Sequence, residues 1–140
     1  MIRRDPHRAF RFRVEIAGIE QGGFQSVSGL ERVSQVEPYR EGGVNDYEHQ
    51  HVVLTTYPPL VLGRGLVDPE LWAWHQAVIS GEIVKLPMSV VLNAEDGTEA
   101  WRWLVIDAFP TRWEGPTLDA QATAVATESI EFSHHGLVGA

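Results

Sequence analysis

Cysteine is absent from this chain of 140 residues, which excludes a disulfide framework and any thiolate metal site. The absence fits folding in a reducing cytosol. No apolar run approaches the roughly 20 residues that a helix needs to cross a bilayer. No charged-then-apolar leader opens the sequence, so synthesis in the cytoplasm is the expectation. Positive charge is scarce: 11 Lys and Arg stand against 19 Asp and Glu, a formal net charge of −8. Such a surface argues against a binder that works by neutralising phosphates, although nucleic acid can pass it without sticking. Low-complexity tracts and internal repeats are missing too. A chain of 140 residues is the size of one domain that buries its core without staples. The expectation is a single domain over residues 1–140.

Signatures of catalysis are also lacking. Ser26, Ser28, Ser80, Ser89, Ser129 and Ser133 are present, but none sits in a Gly-x-Ser-x-Gly elbow. Glu128 and Glu131 are three apart on a predicted strand, hence on opposite faces, and cannot act as a carboxylate pair. Gly63-Arg64-Gly65 lacks the Lys-Ser/Thr ending of a phosphate loop and the spacing of a dinucleotide fingerprint, so turn geometry accounts for it better. His49 and His51 share a strand face, but no third ligand stands at zinc spacing. His134 and His135 are adjacent, point to opposite faces and fit a turn or packing role. No catalytic residue, cofactor or metal is expected.

What is present is alternation. Phe10, Phe12, Val14 and Ile16 alternate with Arg11, Arg13 and Glu15, which reads as a half-buried first strand. Residues 30–39 read as a longer strand whose second face carries charge, as in a sheet with one wet side. Residues 42–56 show little periodicity before Val52-Val53-Leu54, so an extended loop is expected over about 41–57. Residues 60–62 form a short strand candidate. One helix is marked by Asp68 as cap, Pro69 in its first position, Glu70 at its positive end and Gly81 past its last turn. Leu71, Trp72, Trp74, His75, Val78 and Ile79 would give it one broad apolar face.

Asp96-Gly97 lies between two alternating runs, the strongest short-range hairpin signal. The second run carries Trp101, Trp103 and Val105 on one face and Arg102, Leu104 and Ile106 on the other, and Pro110 is expected to stop it. Gly115-Pro116 marks a turn, and residues 122–133 read as a final strand. The predicted fold is mainly β: an antiparallel β-sandwich or barrel of about seven strands with one flanking α-helix.

Glu128 is the odd residue of the final strand. Ala124, Ala126, Ile130 and Phe132 share its face and read as buried, so its carboxylate needs a partner; Arg64, Arg102 and Arg112 are candidates for a structural ion pair, within the subunit or between subunits. Trp72, Trp74, Trp101 and Trp103 read as helix-on-sheet packing and subunit contact, with an aromatic ligand cage as the alternative.

Taken in order, these segments resemble a known family. They are residues 5–16, Gly23-Phe24-Gln25-Ser26-Val27-Ser28-Gly29-Leu30-Glu31, and Glu37-Pro38-Tyr39-Arg40-Glu41-Gly42-Gly43. Tyr57-Pro58, Arg64-Gly65-Leu66, Leu71-Trp72-Ala73-Trp74, Trp101-Arg102-Trp103, residues 109–116 and residues 126–137 follow. The chain is similar to inner tube proteins of contractile tails, in phages and in bacterial extracellular injection particles.

The resemblance implies homohexameric rings that stack around a lumen carrying DNA or protein cargo. It implies a sheath around the tube, baseplate and terminator proteins at its ends, and a final place in a phage tail or released particle. It implies inter-ring contacts from the extended loop, here Arg40, Glu41, Asp46, Tyr47, Glu48, His49 and His51, which is less basic than the family pattern. The acids Glu31, Glu37 and Glu131 are expected to face the lumen, which should be acidic or neutral. A tube-initiating or effector-carrying paralogue is the alternative within the family; a small-molecule-binding β-barrel is the alternative outside it.

Overall fold

Short runs of alternating β-branched and charged residues, punctuated by glycine, build nearly the whole fold. The computed structural model describes residues 11–21, 23–39, 49–121 and 126–139. Ten strands and one helix occur among them: β1 Arg11–Ile16, β2 Ile19–Gln21, β3 Ser26–Ser28, β4 Val33–Tyr39, β5 His49–Thr56, β6 Leu60–Gly65, α1 Pro69–Ile79, β7 Leu86–Asn93, β8 Glu99–Glu114, β9 Glu128–Ser133 and β10 Gly136–Gly139. All pairings are antiparallel. The mainly-β, single-helix expectation therefore holds, with more and shorter strands than the predicted seven or so.

Eight strands form one sheet: seven follow the path β2-β1-β7-β8-β9-β6-β3, and β10 pairs with β8 off that path. The 16-residue β8 is its spine. Its first part pairs with β7 and β10, and its last part, from Phe109 to Glu114, pairs with β9. Asp107, at φ 53, sits between the two parts. Aspartate tolerates this left-handed conformation better than most residues, and the strand changes partners there. Pro110 does not stop the strand, contrary to expectation. The register shifts between Pro110 and Arg112, and a bulge is where a residue without an N–H does least harm to a ladder.

The two halves of the path present facing apolar sides. Val14, Ile16, Met88, Val90, Val105 and Leu137 come from one half; Leu60, Leu62, Ile130 and Phe132 from the other; Leu71 enters from the helix. The first strand is half buried as read from its alternation, and Phe10 lies outside the described residues. Gly29 is required at a close crossing: a Cβ there would stand 2.0 Å from the Pro59 carbonyl oxygen.

Other boundaries move. The final strand begins at Glu128, and Ala126 is exposed rather than buried; Ala124 lies outside the described residues. Gly63-Arg64-Gly65 is the end of strand β6, not a free turn, with Arg64 at φ 55 where the β6–β9 register shifts. The predicted loop over 41–57 divides: residues 49–56 are strand β5, and 41–48 lie outside the described residues.

The helix starts as read. Asp68 accepts the Leu71 amide at 2.8 Å, with Pro69 in the first turn. Its apolar face is mostly not buried: only Leu71 is, while Trp72 and Ile79 are exposed. Trp74 packs on Phe132 at 5.7 Å and donates its indole N–H to the Val84 carbonyl at 2.8 Å.

Candidate functional site

The β4–β5 hairpin stands apart from the rest of the molecule. Its two strands pair only with each other, and no other described element packs against them. Val33, Val36, Val52, Val53 and Leu54 are 45–61% exposed on it. Val52 and Val53 are adjacent, so apolar side chains lie on both faces. Beside the backbone ladder, the Ser34 and Thr55 hydroxyls meet at 3.0 Å across the strands. A lone two-stranded ribbon is marginal in water, and this one carries apolar groups that its own subunit leaves uncovered.

Of the expected contact residues, Arg40, Glu41, Asp46, Tyr47 and Glu48 lie outside the described residues. His49 and His51 are on β5, and His51 is opposite Glu37 in the register.

The long path of strands is open at both ends. β2 is one edge and β3 the other. Among the described residues each presents an unpaired row of backbone groups, a template for another chain.

The outward face of β1, β7 and β8 carries an ion-pair grid. Arg102 donates to Glu99 at 2.8 Å and to both Glu15 oxygens at 3.2 and 3.3 Å. Arg13 donates to Glu15 at 3.3 Å and to Asn93 at 3.1 Å. Hydrogen bonds from Arg102 hold the Glu15 and Glu99 carboxyls below their ordinary range. The same carboxylates, Glu99 first, push the Arg102 guanidinium up. Ion pairs thus tie β1 to β8 across β7, which contributes the neutral Asn93 amide.

Glu128 is half buried, but its partners are not arginines. It accepts the Trp113 indole N–H at 2.6 Å and the Val67 amide at 3.2 Å. Arg102 is taken by Glu15 and Glu99, Arg112 faces Glu114 and Glu131, and Arg64 makes no ion pair with Glu128 among the described residues. The expected ion pair is replaced by two neutral donors. Alternation along the strand revealed a carboxylate needing partners; it could not reveal an indole and an amide brought in by the fold.

The three acids expected to face the lumen do not share an element. Glu31 is in the connection before β4 instead of on a strand, Glu37 is on the hairpin, and Glu131 is on β9, 3.7 Å from Arg112.

The tryptophans do not form one cage. Trp72 meets Trp113 edge-on at 4.8 Å. Trp101 and Trp103 line a separate groove of about 300 Å³ with Leu30, Arg32 and Leu137. Buried His134 has its ring nitrogens 3.1 Å from the Gly136 and Pro58 carbonyl oxygens, a packing role at the β9–β10 corner. Among the described residues no group of three His, Asp or Glu is placed to hold a metal, and no helix is long and apolar enough to cross a membrane.

A family model for the tail tube protein gp19 of T4-like viruses matches residues 8–138. No curated protein matches the chain. Among solved structures, it is similar to a chain of the PVC sheath–tube complex, an extracellular contractile injection system in its extended state. Identity there is 25%, covering 96% of this chain and 91% of that chain, with a TM-score of 0.81. It shares the fold of a chain in the tube terminating cap of the anti-feeding prophage, at 24% identity, 100% and 94% coverage and a TM-score of 0.84. It also shares the fold of Hcp1 from Flavobacterium johnsoniae, at 14% identity, 93% and 94% coverage and a TM-score of 0.59.

Proposed function

This chain belongs to the T4-like virus tail tube protein gp19 family and is a structural tube subunit; from that premise we propose that its copies close into hexameric rings and that the rings stack around a cargo-carrying lumen. The observation that carries the reading is the β4–β5 hairpin, which exposes apolar side chains on both faces and finds no partner among the other described elements of its own subunit. Such groups need cover, and a neighbouring copy in the next ring supplies it. A contact between different surface patches of identical copies propagates when it does not close, which is what a stack of rings requires. The free edges β2 and β3 suit the other contact, around the ring, where closure removes both edges.

In this reading the hairpin, together with residues 40–48 of the sequence between its strands, contacts the adjacent ring. A sheath surrounds the tube, and baseplate and terminator proteins meet its ends; a sheath–tube complex, a baseplate and a terminating cap are the assemblies in which similar chains occur. The subunit is made in the cytoplasm and ends in a phage tail or a released particle. It carries cargo without transforming it. Glu131, on the eight-stranded sheet, is the acid we place on the lumen wall, while Glu31 and Glu37 lie off that sheet.

The test is a double substitution, Val36→Asp with Val52→Asp. Both positions are exposed, so the subunit should melt as the wild type does. Light scattering should show that wild-type protein forms stacks and that the variant stops at single rings or smaller. Stacks of normal length from the variant would contradict the hairpin's role.

A further inference from the structure

Edge strand β2 carries a side-chain carbonyl that no described group of its own subunit meets. Gln21 is 8% exposed, and no polar group among the described residues meets its Oε1 atom. Gln21 is opposite Val14 in the β1–β2 register, and opposed residues of an antiparallel pair share a face. Its side chain therefore points to the same side as the core residue Val14. It lines a slot of about 140 Å³ with Phe12, Gly23 and Phe24. Phe24 precedes β3, so the slot lies beside the short connection between the two open ends of the sheet, which do not pair with each other. Ile19, also on the core side of β2 by its pairing with Ile16, is 60% exposed. An exposed isoleucine and a buried, unanswered acceptor thus share one side of a free edge.

An isolated fold gains nothing from this arrangement. A buried acceptor without a donor loses its hydration and receives nothing in return. We propose that the slot is an assembly site, completed when a second copy of this chain brings a hydrogen-bond donor to Gln21. The proposal rests on the ring reading above and specifies one of its joints. The other end of the strand path supplies suitable chemistry: Gln25 and Ser28, beside and on edge strand β3, are exposed and carry N–H and O–H donors. In a head-to-tail ring contact the β2 end of one copy meets a different patch on the next, and β3 is the other end that such a joint must close. Gln21 is then a specificity element. A copy that docks without placing its donor leaves the carbonyl buried and unpaired, whereas the correct register satisfies it.

The experiment compares wild type, Gln21→Met and Gln21→Glu. Methionine keeps the length and removes the acceptor; glutamate keeps an acceptor oxygen. In dilute monomeric solution, Gln21→Met should melt at or above the wild-type midpoint, because it deletes an unsatisfied group. The protein concentration at which rings appear by light scattering should rise about tenfold or more for Gln21→Met, equivalent to about 1.4 kcal/mol. For Gln21→Glu it should rise less than for Gln21→Met. A lower midpoint or failure to fold in Gln21→Met would show that the carbonyl has a partner inside its own subunit, and the proposal falls. Rings forming at the same concentration for wild type and Gln21→Met overturn this joint alone. Absence of rings from the wild type overturns the ring reading itself and this joint with it.

Discussion

Glu15 shows how much of this protein's surface is organised one charge at a time. Its carboxyl is held below the ordinary 4.5 mainly by hydrogen bonds from Arg102, with Arg13 adding to the effect. A carboxyl with a lowered folded pKa binds fewer protons folded than unfolded near that pH. It adds stability that is complete above about 4.5 and is lost as pH falls through the folded value. Glu15→Gln should therefore melt below wild type at neutral pH, and the gap should close as the pH drops below about 4.5. A gap that stays constant with pH would show that the charge is not what matters. Burial separates the large apolar residues in the same way. Phe132 is fully buried, and Phe132→Ala should cost about 3–5 kcal/mol by denaturant melting. Trp72 is 45% exposed, so Trp72→Ala should cost well under that, although its helical spacing alone suggests a core position. Periodicity told which residues share a face. It could not tell whether the face is covered, and for Trp72 and Ile79 it is not.

At the scale of elements, local chemistry was legible and long-range register was not. The Asp68-Pro69 helix start and the Asp96-Gly97 turn both form as read. Asp96 accepts from the Thr98 amide and hydroxyl at 3.0 and 2.6 Å, and Gly97 takes φ 87. These signals are complete within a few residues. Asp68→Ala should cost about 1 kcal/mol through the lost cap, measurable as a lower denaturation midpoint. Strand β8 passing through Pro110 was hidden because it depends on a bulge against β9, whose register only the folded chain defines. Strand β5 was hidden because its partner, β4, is its whole environment, so its residues never needed one apolar and one polar face. That isolation makes a prediction. Replacing residues 33–56 with a short Gly-Ser link should leave the domain melting cooperatively near the wild-type midpoint, since loop length changes closure entropy by only about 0.6 kcal/mol per doubling. A collapsed melting curve would show that the hairpin belongs to the subunit's own core.

For the whole molecule, the order of short motifs along the chain was the most informative property of the sequence, while the mainly-β fold with one helix followed from alternation and from turn and cap signals. Assembly is less legible in a single chain, because the groups that make an interface look like errors until the neighbour is present. On the proposed reading, the uncovered valines of the hairpin, the open edges β2 and β3 and the unanswered Gln21 carbonyl are such groups. Together they describe a subunit folded around its core but incomplete at its margins. The most direct measurement is electron microscopy of the purified wild-type chain across a range of protein concentrations. The account predicts sixfold rings that lengthen into tubes as concentration rises. Uniform monomers at every concentration would contradict it.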